Sequence, residues 1–253
     1  MRRVLLPTAI VVLLLAAWQV AASWDALAHA LDIQPFLIPS PAEIADSLWT
    51  DRDLLLENAW VTIQEMLGGL ALALAAGLAF AVALHLSEML RRAFYPLLVA
   101  SQAVPTVAIA PILVVWFGYG SGPKLAIVAL VCFFPVTVNT LDGLRSADPE
   151  LIKMMRTLDG GRLAILRRVE LPWSLPLMLS GAKIAAVIAG IGAVFGEWAG
   201  SDKGLGHLIL VSESQLQTAR MFAAITLLAV FAIALFAGLT LVERRVAWWG
   251  SAE

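Results

Sequence analysis

Charge is scarce in this chain of 253 residues: Asp, Glu, Lys and Arg make up 14% of it, against about a quarter in an ordinary soluble domain. That shortage excludes a chain that stays in water. Cysteine occurs once, so no intrachain disulfide can form, and Cys132, inside an apolar run beside Phe133 and Phe134, reads as a buried packing residue. His29, His85 and His207 lie far apart without ligand spacing, which argues against a metal centre. A Gly-x4-Gly-Lys-Ser/Thr phosphate loop is missing. The nearest approach, Gly118-Tyr119-Gly120-Ser121-Gly122-Pro123-Lys124, has proline before the lysine and no hydroxyl residue after it, and reads as a flexible turn. No cofactor is expected, and nothing supports nucleic-acid binding.

What is abundant is apolar: 60% of residues are hydrophobic and the mean hydropathy is +0.86. Runs of about 20 such residues match the thickness of the hydrocarbon layer. The chain is expected to be one all-α membrane domain, with about six transmembrane helices at 4–22, 66–86, 94–116, 125–141, 175–195 and 222–242. The first run is longer than a signal-peptide core and leads into further spans, so it is expected to be retained. Pro105, Pro111 and Pro135 are expected to kink their helices.

Lys and Arg set the orientation. Arg2, Arg3, Arg91, Arg92, Arg145, Lys153, Arg156, Arg162, Arg167, Arg168, Arg244 and Arg245 fall on one side, 12 residues, while Arg52, Lys124, Lys203 and Arg220, four residues, fall on the other. The first side is expected to be cytoplasmic, with both termini on it. Lys183, two turns into the fifth run, is expected to snorkel toward that interface. The opposite side receives Asp25, Asp32, Glu43, Asp46, Asp51, Asp53 and Glu57, then Phe36 to Pro41, whose prolines stop any helix, and Ala42 to Thr50 as a short interfacial helix carrying Trp49. Trp248 and Trp249 read as interface anchors. Gly69, Ala73, Gly77 and Ala81 recur at every fourth position, as do Gly181, Ala185, Ala189 and Ala193, the spacing that lets helix backbones approach in lipid.

The longest cytoplasmic segment, 142–173, is too polar to span yet has helical grammar. Asp148 is an N-cap with Pro149 at the first helical position, and Leu151, Ile152, Met154, Met155 and Leu158 follow on a helical period, with Lys153 and Arg156 between them. Asp159-Gly160-Gly161 ends that helix. A second short helix from Arg162 is expected to end at Leu171-Pro172. Such an apolar, basic knob suits either an anionic lipid surface or a groove in a soluble partner.

Lys153-Met154-Met155, three residues, Asp159, nine residues, Val169, one residue and Leu171-Pro172 together resemble the coupling loop of ATP-binding cassette importer permeases, Glu-Ala-Ala, x3, Gly, x9, Ile, x, Leu-Pro. Spacing matches better than letters, since only Leu171 and Pro172 are identical. Asp159 stands at the family's glycine, which leaves the left-handed turn to Asp159 itself or to Gly160 one residue later. Phe36 to Pro41, Val104-Pro105-Thr106 through Ala110-Pro111, Trp116-Phe117-Gly118, Phe133-Phe134-Pro135 with Asn139-Thr140, Gly143-Leu144-Arg145, and Gly196-Glu197-Trp198 with Gly204-Leu205-Gly206 extend the resemblance over most of the chain.

The resemblance implies a type I importer permease in a bacterial plasma (inner) membrane. Its expected partners are a pair of cytoplasmic ATPase subunits that bind the ATP, an extracytoplasmic solute-binding protein and a second permease copy, a homodimer. It also implies ATPase coupling through Asp148 to Gly161 with Leu171 and Pro172, so bulky β-branched residues at Gly160 and Gly161 should lower transport. The subgroup imports nitrate, sulfonates, taurine, riboflavin or pyrimidine precursors of thiamine. Phe-Phe-Pro with Asn-Thr, and Met221-Phe222-Ala223-Ala224, look closest to the last two. Gln102, Asn139, Glu197 and Trp198 are candidates for the solute path, each equally able to serve as a helix-to-helix hydrogen bond. A secondary transporter would show ionisable residues in mid-span or an internal repeat, and a membrane enzyme would show a facing acid–base pair. Neither pattern is visible.

Overall fold

Helix follows helix through the computed structural model, which describes residues 2–23, 34 and 37–247, and no strand occurs among the described residues. The elements are α1 (Arg2–Ser23), α2 (Pro41–Thr50), α3 (Arg52–Leu86), α4 (Glu88–Ser101), α5 (Thr106–Phe117), α6 (Ser121–Arg145), α7 (Pro149–Thr157), α8 (Arg162–Gly200), α9 (Leu205–Ser214) and α10 (Thr218–Val246). The readings at Asp25, His29, Asp32, Phe36, Trp248 and Trp249 fall outside the described residues.

Helices α3, α6, α8 and α10 are long and apolar enough to cross a membrane. The expected third span, 94–116, is not one rod: α4 and α5 meet at a bend of 102°. Backbone bonds at the end of α4 tighten to three-residue spacing, Gln102 to Val99, Ala103 to Ala100 and Val104 to Ser101, and Pro105 then has no N–H to offer and keeps Val104 out of the helical region. Pro111 and Pro135 instead lie inside continuous helices. The first expected span falls on α1, whose described apolar stretch is the shorter Thr8–Ala22.

The remaining spans run longer than their apolar cores. Helix α3 begins at Arg52 rather than near residue 66 because Asn58, Thr62 and Glu65, polar in sequence, are buried against protein. Helix α8 absorbs the short helix expected to stop at Leu171-Pro172. Residues Leu166–Glu170 form a π turn, in which the Leu171 N–H reaches the Leu166 carbonyl. The wider turn accommodates Pro172, whose ring would clash with a carbonyl in a regular helix.

The chain divides into two compact units, Met1–Val61 with Asp202–Leu228, and Thr62–Ser201 with Ala229–Glu253. In the first unit, Ser40 caps α2 in a reciprocal capping box with Glu43, and Ile44, Leu55, Leu205, Leu208, Ala223 and Ala224 form the core. Asp51 holds Arg220 through two bonds of 2.8 and 2.9 Å.

In the second unit the small-residue strips do the packing. A Cβ on Gly69 would sit 2.4 Å from the Val128 Cβ, and one on Gly77 would sit 2.7 Å from the Val136 Cγ1. On α8, a Cβ on Gly181 would lie 2.7 Å from both the Asn139 Cβ and the Pro135 carbonyl oxygen. Ala185, Ala186, Ala189 and Ala193 are completely buried. Dispersion between close backbones replaces the hydrophobic drive that lipid cannot supply. The Lys183 Nζ donates to Glu243 at 2.6 Å, which ties α8 to α10 within this unit, near the end of α10 that carries Arg244 and Arg245.

Candidate functional site

Two features of the second unit carry chemistry, the 142–173 segment and an aromatic cavity. In the segment, the Asp148 carboxylate accepts from the Glu150 N–H at 2.8 Å and Pro149 opens α7, as the grammar of the sequence predicts. The helix closes in a Schellman turn: Gly160 N–H reaches the Met155 carbonyl at 2.8 Å and Asp159 N–H reaches that of Arg156 at 3.2 Å. The left-handed residue is Asp159 itself, at φ 55°, rather than a glycine one residue later. Gly160 is needed for a different reason, since a Cβ there would lie 2.5 Å from the Met155 oxygen. Gly161 has open space around it.

No residue of α7 is buried. Met154 is 52% exposed and Leu158 71%, while Lys153, Arg156 and Asp159 are exposed beside them. Leu151, Met154, Met155, Arg168, Val169, Pro172 and Trp173 line a shallow groove of about 330 Å3 between α7 and the start of α8. The segment thus offers an apolar stripe with cationic flanks and a groove at its foot.

The cavity, about 760 Å3, lies among α3, α4, α5, α6 and α8. Phe80, Phe94, Phe133 and Phe134 supply aromatic faces, and Ser101, Gln102, Thr106 and Asn139 supply neutral polar groups. Phe80 packs against Phe94 and Phe133, with ring centroids 6.0 and 5.6 Å away. Among the described residues no charged side chain lines it. Asn139 Nδ2 donates to the Pro135 carbonyl at 2.8 Å, and Gln102 Nε2 donates to Ser101 Oγ at 3.3 Å. Ser101 and Gln102 stand at the end of α4, immediately before the bend to α5.

Glu197 and Trp198, the other two path candidates, do not line the cavity. Glu197 is 1% exposed and accepts from Thr62 Oγ1 at 2.6 Å, while Trp198 packs edge-on against Phe195 at 5.8 Å. Next to Glu197 lies a buried ion pair that sequence reasoning missed, Lys124 Nζ to Glu65 at 2.7 Å, with Ser201 also accepting from the lysine at 2.7 Å. Lys124 reads as part of a turn in sequence, yet it stands in the first turn of α6 and is 8% exposed. Its 59-residue separation from Glu65 leaves no local signal. A second missed cluster joins His85, Arg162 and Glu170, the last at 3% exposure.

Comparison with known proteins fits this geometry. Residues 69–248 match the family described as binding-protein-dependent transport system inner membrane component. The chain is 34% identical over 244 residues to the formylaminopyrimidine transport permease protein ThiX of Halalkalibacterium halodurans, covering 96% of this chain and 95% of that one. It is 35% identical over 228 residues to the riboflavin transport system permease protein RibX of Chloroflexus aurantiacus, covering 89% and 85%. Among solved structures, an inward-facing MetNI methionine ABC transporter chain superposes with a TM-score of 0.69 at 18% identity, over 78% of this chain and 98% of that one. That last likeness is one of fold.

Proposed function

The chain belongs to the binding-protein-dependent transport inner-membrane components, the permease subunits of ATP-binding cassette importers, and from that membership we propose that it carries a neutral aromatic heterocycle. The best reading is a pyrimidine precursor of thiamine or riboflavin. The observation behind it is the cavity lining: four phenylalanines, neutral hydrogen-bonding groups and no charge among the described residues. Aromatic faces stack on a flat ring, and Asn, Gln and Ser can meet its polar edge. Nitrate, sulfonates and taurine, the alternative cargoes, each carry an anionic oxo group, which costs several kcal/mol to dehydrate without a cation or a cluster of N–H donors.

The 142–173 segment is then the dock for a separate ATPase pair, which binds and hydrolyses the ATP. An apolar helix face with basic flanks, built on a capped and sharply terminated helix, suits insertion into a groove of a soluble partner. Closure of the ATPases swings α7 with α8 as a rigid body and alternates the access of the cavity. The exposed apolar rim of the cavity, Leu97, Val104, Ile184 and Ile191, suits a second copy of the chain. The charge asymmetry favours a cytoplasmic side for this segment and both termini, in a bacterial inner membrane, with the opposite face receiving the solute-binding protein.

Proteoliposomes holding this permease, its ATPase and its binding protein test the cargo. ATP-dependent uptake of labelled formylaminopyrimidine or riboflavin, unaffected by excess taurine or nitrate and lowered by Phe133→Ala, is expected. Saturable uptake of taurine, a sulfonate or nitrate in its place would overturn the reading.

A further inference from the structure

Glu170 stands in the one turn of α8 that departs from regular helix. It is 3% exposed, and two cationic or titratable groups from different elements reach it. Arg162, in the first turn of α8, donates to its Oε1 at 2.6 Å. His85 of α3 places Nε2 2.9 Å from its Oε2, close but poorly aligned for a hydrogen bond. A buried carboxylate is costly unless paired, and breaking such a pair leaves a charge without compensation. The π turn also rotates everything beyond it by about 100° relative to a regular helix, the angle of one residue. Within that turn Glu170 is buried, while the neighbouring Arg167 and Arg168 are exposed.

His85 is the penultimate residue of α3. Five residues earlier on the same helix, Phe80 forms part of the cavity wall and touches Phe94 and Phe133. Continuous contacts therefore run from the closing turn of α7, through Gly161 into Arg162, across Glu170 to His85, and along α3 to the aromatic wall. Spatial continuity alone does not establish coupling. The second feature is the composition of the link: one buried carboxylate gripped from two elements, at the point where the docking segment joins the transmembrane body.

We infer that Glu170 is the joint that passes movement of the 142–173 segment to α3 and the cavity wall, a positioning residue for transport. The inference rests on reading that segment as the ATPase dock. It also gives the departure from regular helix at Leu166–Glu170 a purpose beyond making room for Pro172.

The test uses the full transporter in proteoliposomes and reads ATPase co-purification and solute taken up per ATP hydrolysed. Glu170→Gln keeps the shape and removes the charge. It should still co-purify the ATPase while uptake per ATP falls about tenfold, within the range usual for coupling between sites. His85→Ala should fall similarly, and the double variant should lose no more than either alone, because the two act as one joint. Glu170→Asp, which retains the charge, should recover part of the loss. Wild-type uptake per ATP in Glu170→Gln, or strictly additive losses in the double variant, would overturn the inference. So would loss of ATPase co-purification in Glu170→Gln together with recovery in neither Glu170→Asp nor a solubilised, folded preparation, since that marks a purely structural residue. A wild-type permease that fails to co-purify the ATPase contradicts the docking reading instead, so the two failures are distinguishable.

Discussion

Gly160→Val should unlatch the end of α7, whereas Gly161→Val should not. A Cβ on Gly160 would stand 2.5 Å from the Met155 oxygen and 3.2 Å from its carbonyl carbon. That oxygen is the acceptor for the Gly160 N–H itself, at 2.8 Å. No rotamer relieves a backbone clash, so the Schellman turn must open. The hydrogen bond is worth about 1 kcal/mol, and forcing the backbone elsewhere adds about 1–3 kcal/mol. Helix α7 has nine residues, too short to be stable alone in water. A loss of about 2–4 kcal/mol at its end is therefore enough to fray it, a shift of roughly 30- to 1,000-fold in its local opening. At Gly161 no atom lies within 4 Å of the added carbon and the backbone sits at φ −64°, which a β-branched residue tolerates. Hydrogen exchange of amides 152–160 in detergent-solubilised permease reports the opening, and ATPase co-purification reports its consequence. Equal behaviour of the two variants, or unchanged exchange in Gly160→Val, would refute the reasoning.

Other expectations follow from the packing and the buried charge. Lys124→Met strands Glu65 in a buried site and should cost about 3–5 kcal/mol, seen as a lower melting temperature in detergent, while adding Glu65→Leu should restore much of the loss. Gly181→Val meets Asn139 and the Pro135 carbonyl and should sharply reduce folded yield, whereas Gly238→Val, with open space around it, should be neutral by size-exclusion chromatography. Asp51 has its pKa lowered by the hydrogen bond from Arg220. Its contribution is therefore full above the unfolded carboxylate value and fades as pH falls through the lower folded one. After discounting for partial exposure, Arg220→Ala should cost about 1 kcal/mol at neutral pH, and the difference in melting temperature from wild type should shrink below pH 4.

Much of this architecture was legible in the residues. Asp148-Pro149 announces α7, since a capping carboxylate followed by a proline suits only the start of a helix. The four-residue spacing of Gly69 to Ala81 and of Gly181 to Ala193 predicts the tight packing of α3 and α8. The break after Ser101 was harder. Pro105 reads as a kink, yet Pro111 and Pro135 are accommodated inside helices, and the difference lies in the tightened turns before Pro105 rather than in proline itself. Hydropathy also misplaces the start of α3, because Asn58, Thr62 and Glu65 are polar groups satisfied by protein rather than by water. The two charge clusters escaped for a related reason. Lys124 with Glu65, and Glu170 with His85, are brought together only by the fold, so no local pattern pairs them. Half of the solute-path reading, Gln102 and Asn139, meets in one cavity, while Glu197 joins a buried polar cluster that its neighbours in sequence do not announce.

The most direct test of the central claim, that α7 is the surface through which a separate ATPase drives transport, lies on its exposed stripe. Met154→Glu with Leu158→Glu alters two side chains that are 52% and 71% exposed, so the permease itself should fold and insert as before. This double variant should lose at least about tenfold in ATPase co-purification and lose ATP-dependent uptake with it, as expected for anchors at the centre of an interface. Full co-purification and wild-type uptake in a normally inserted double variant would contradict it.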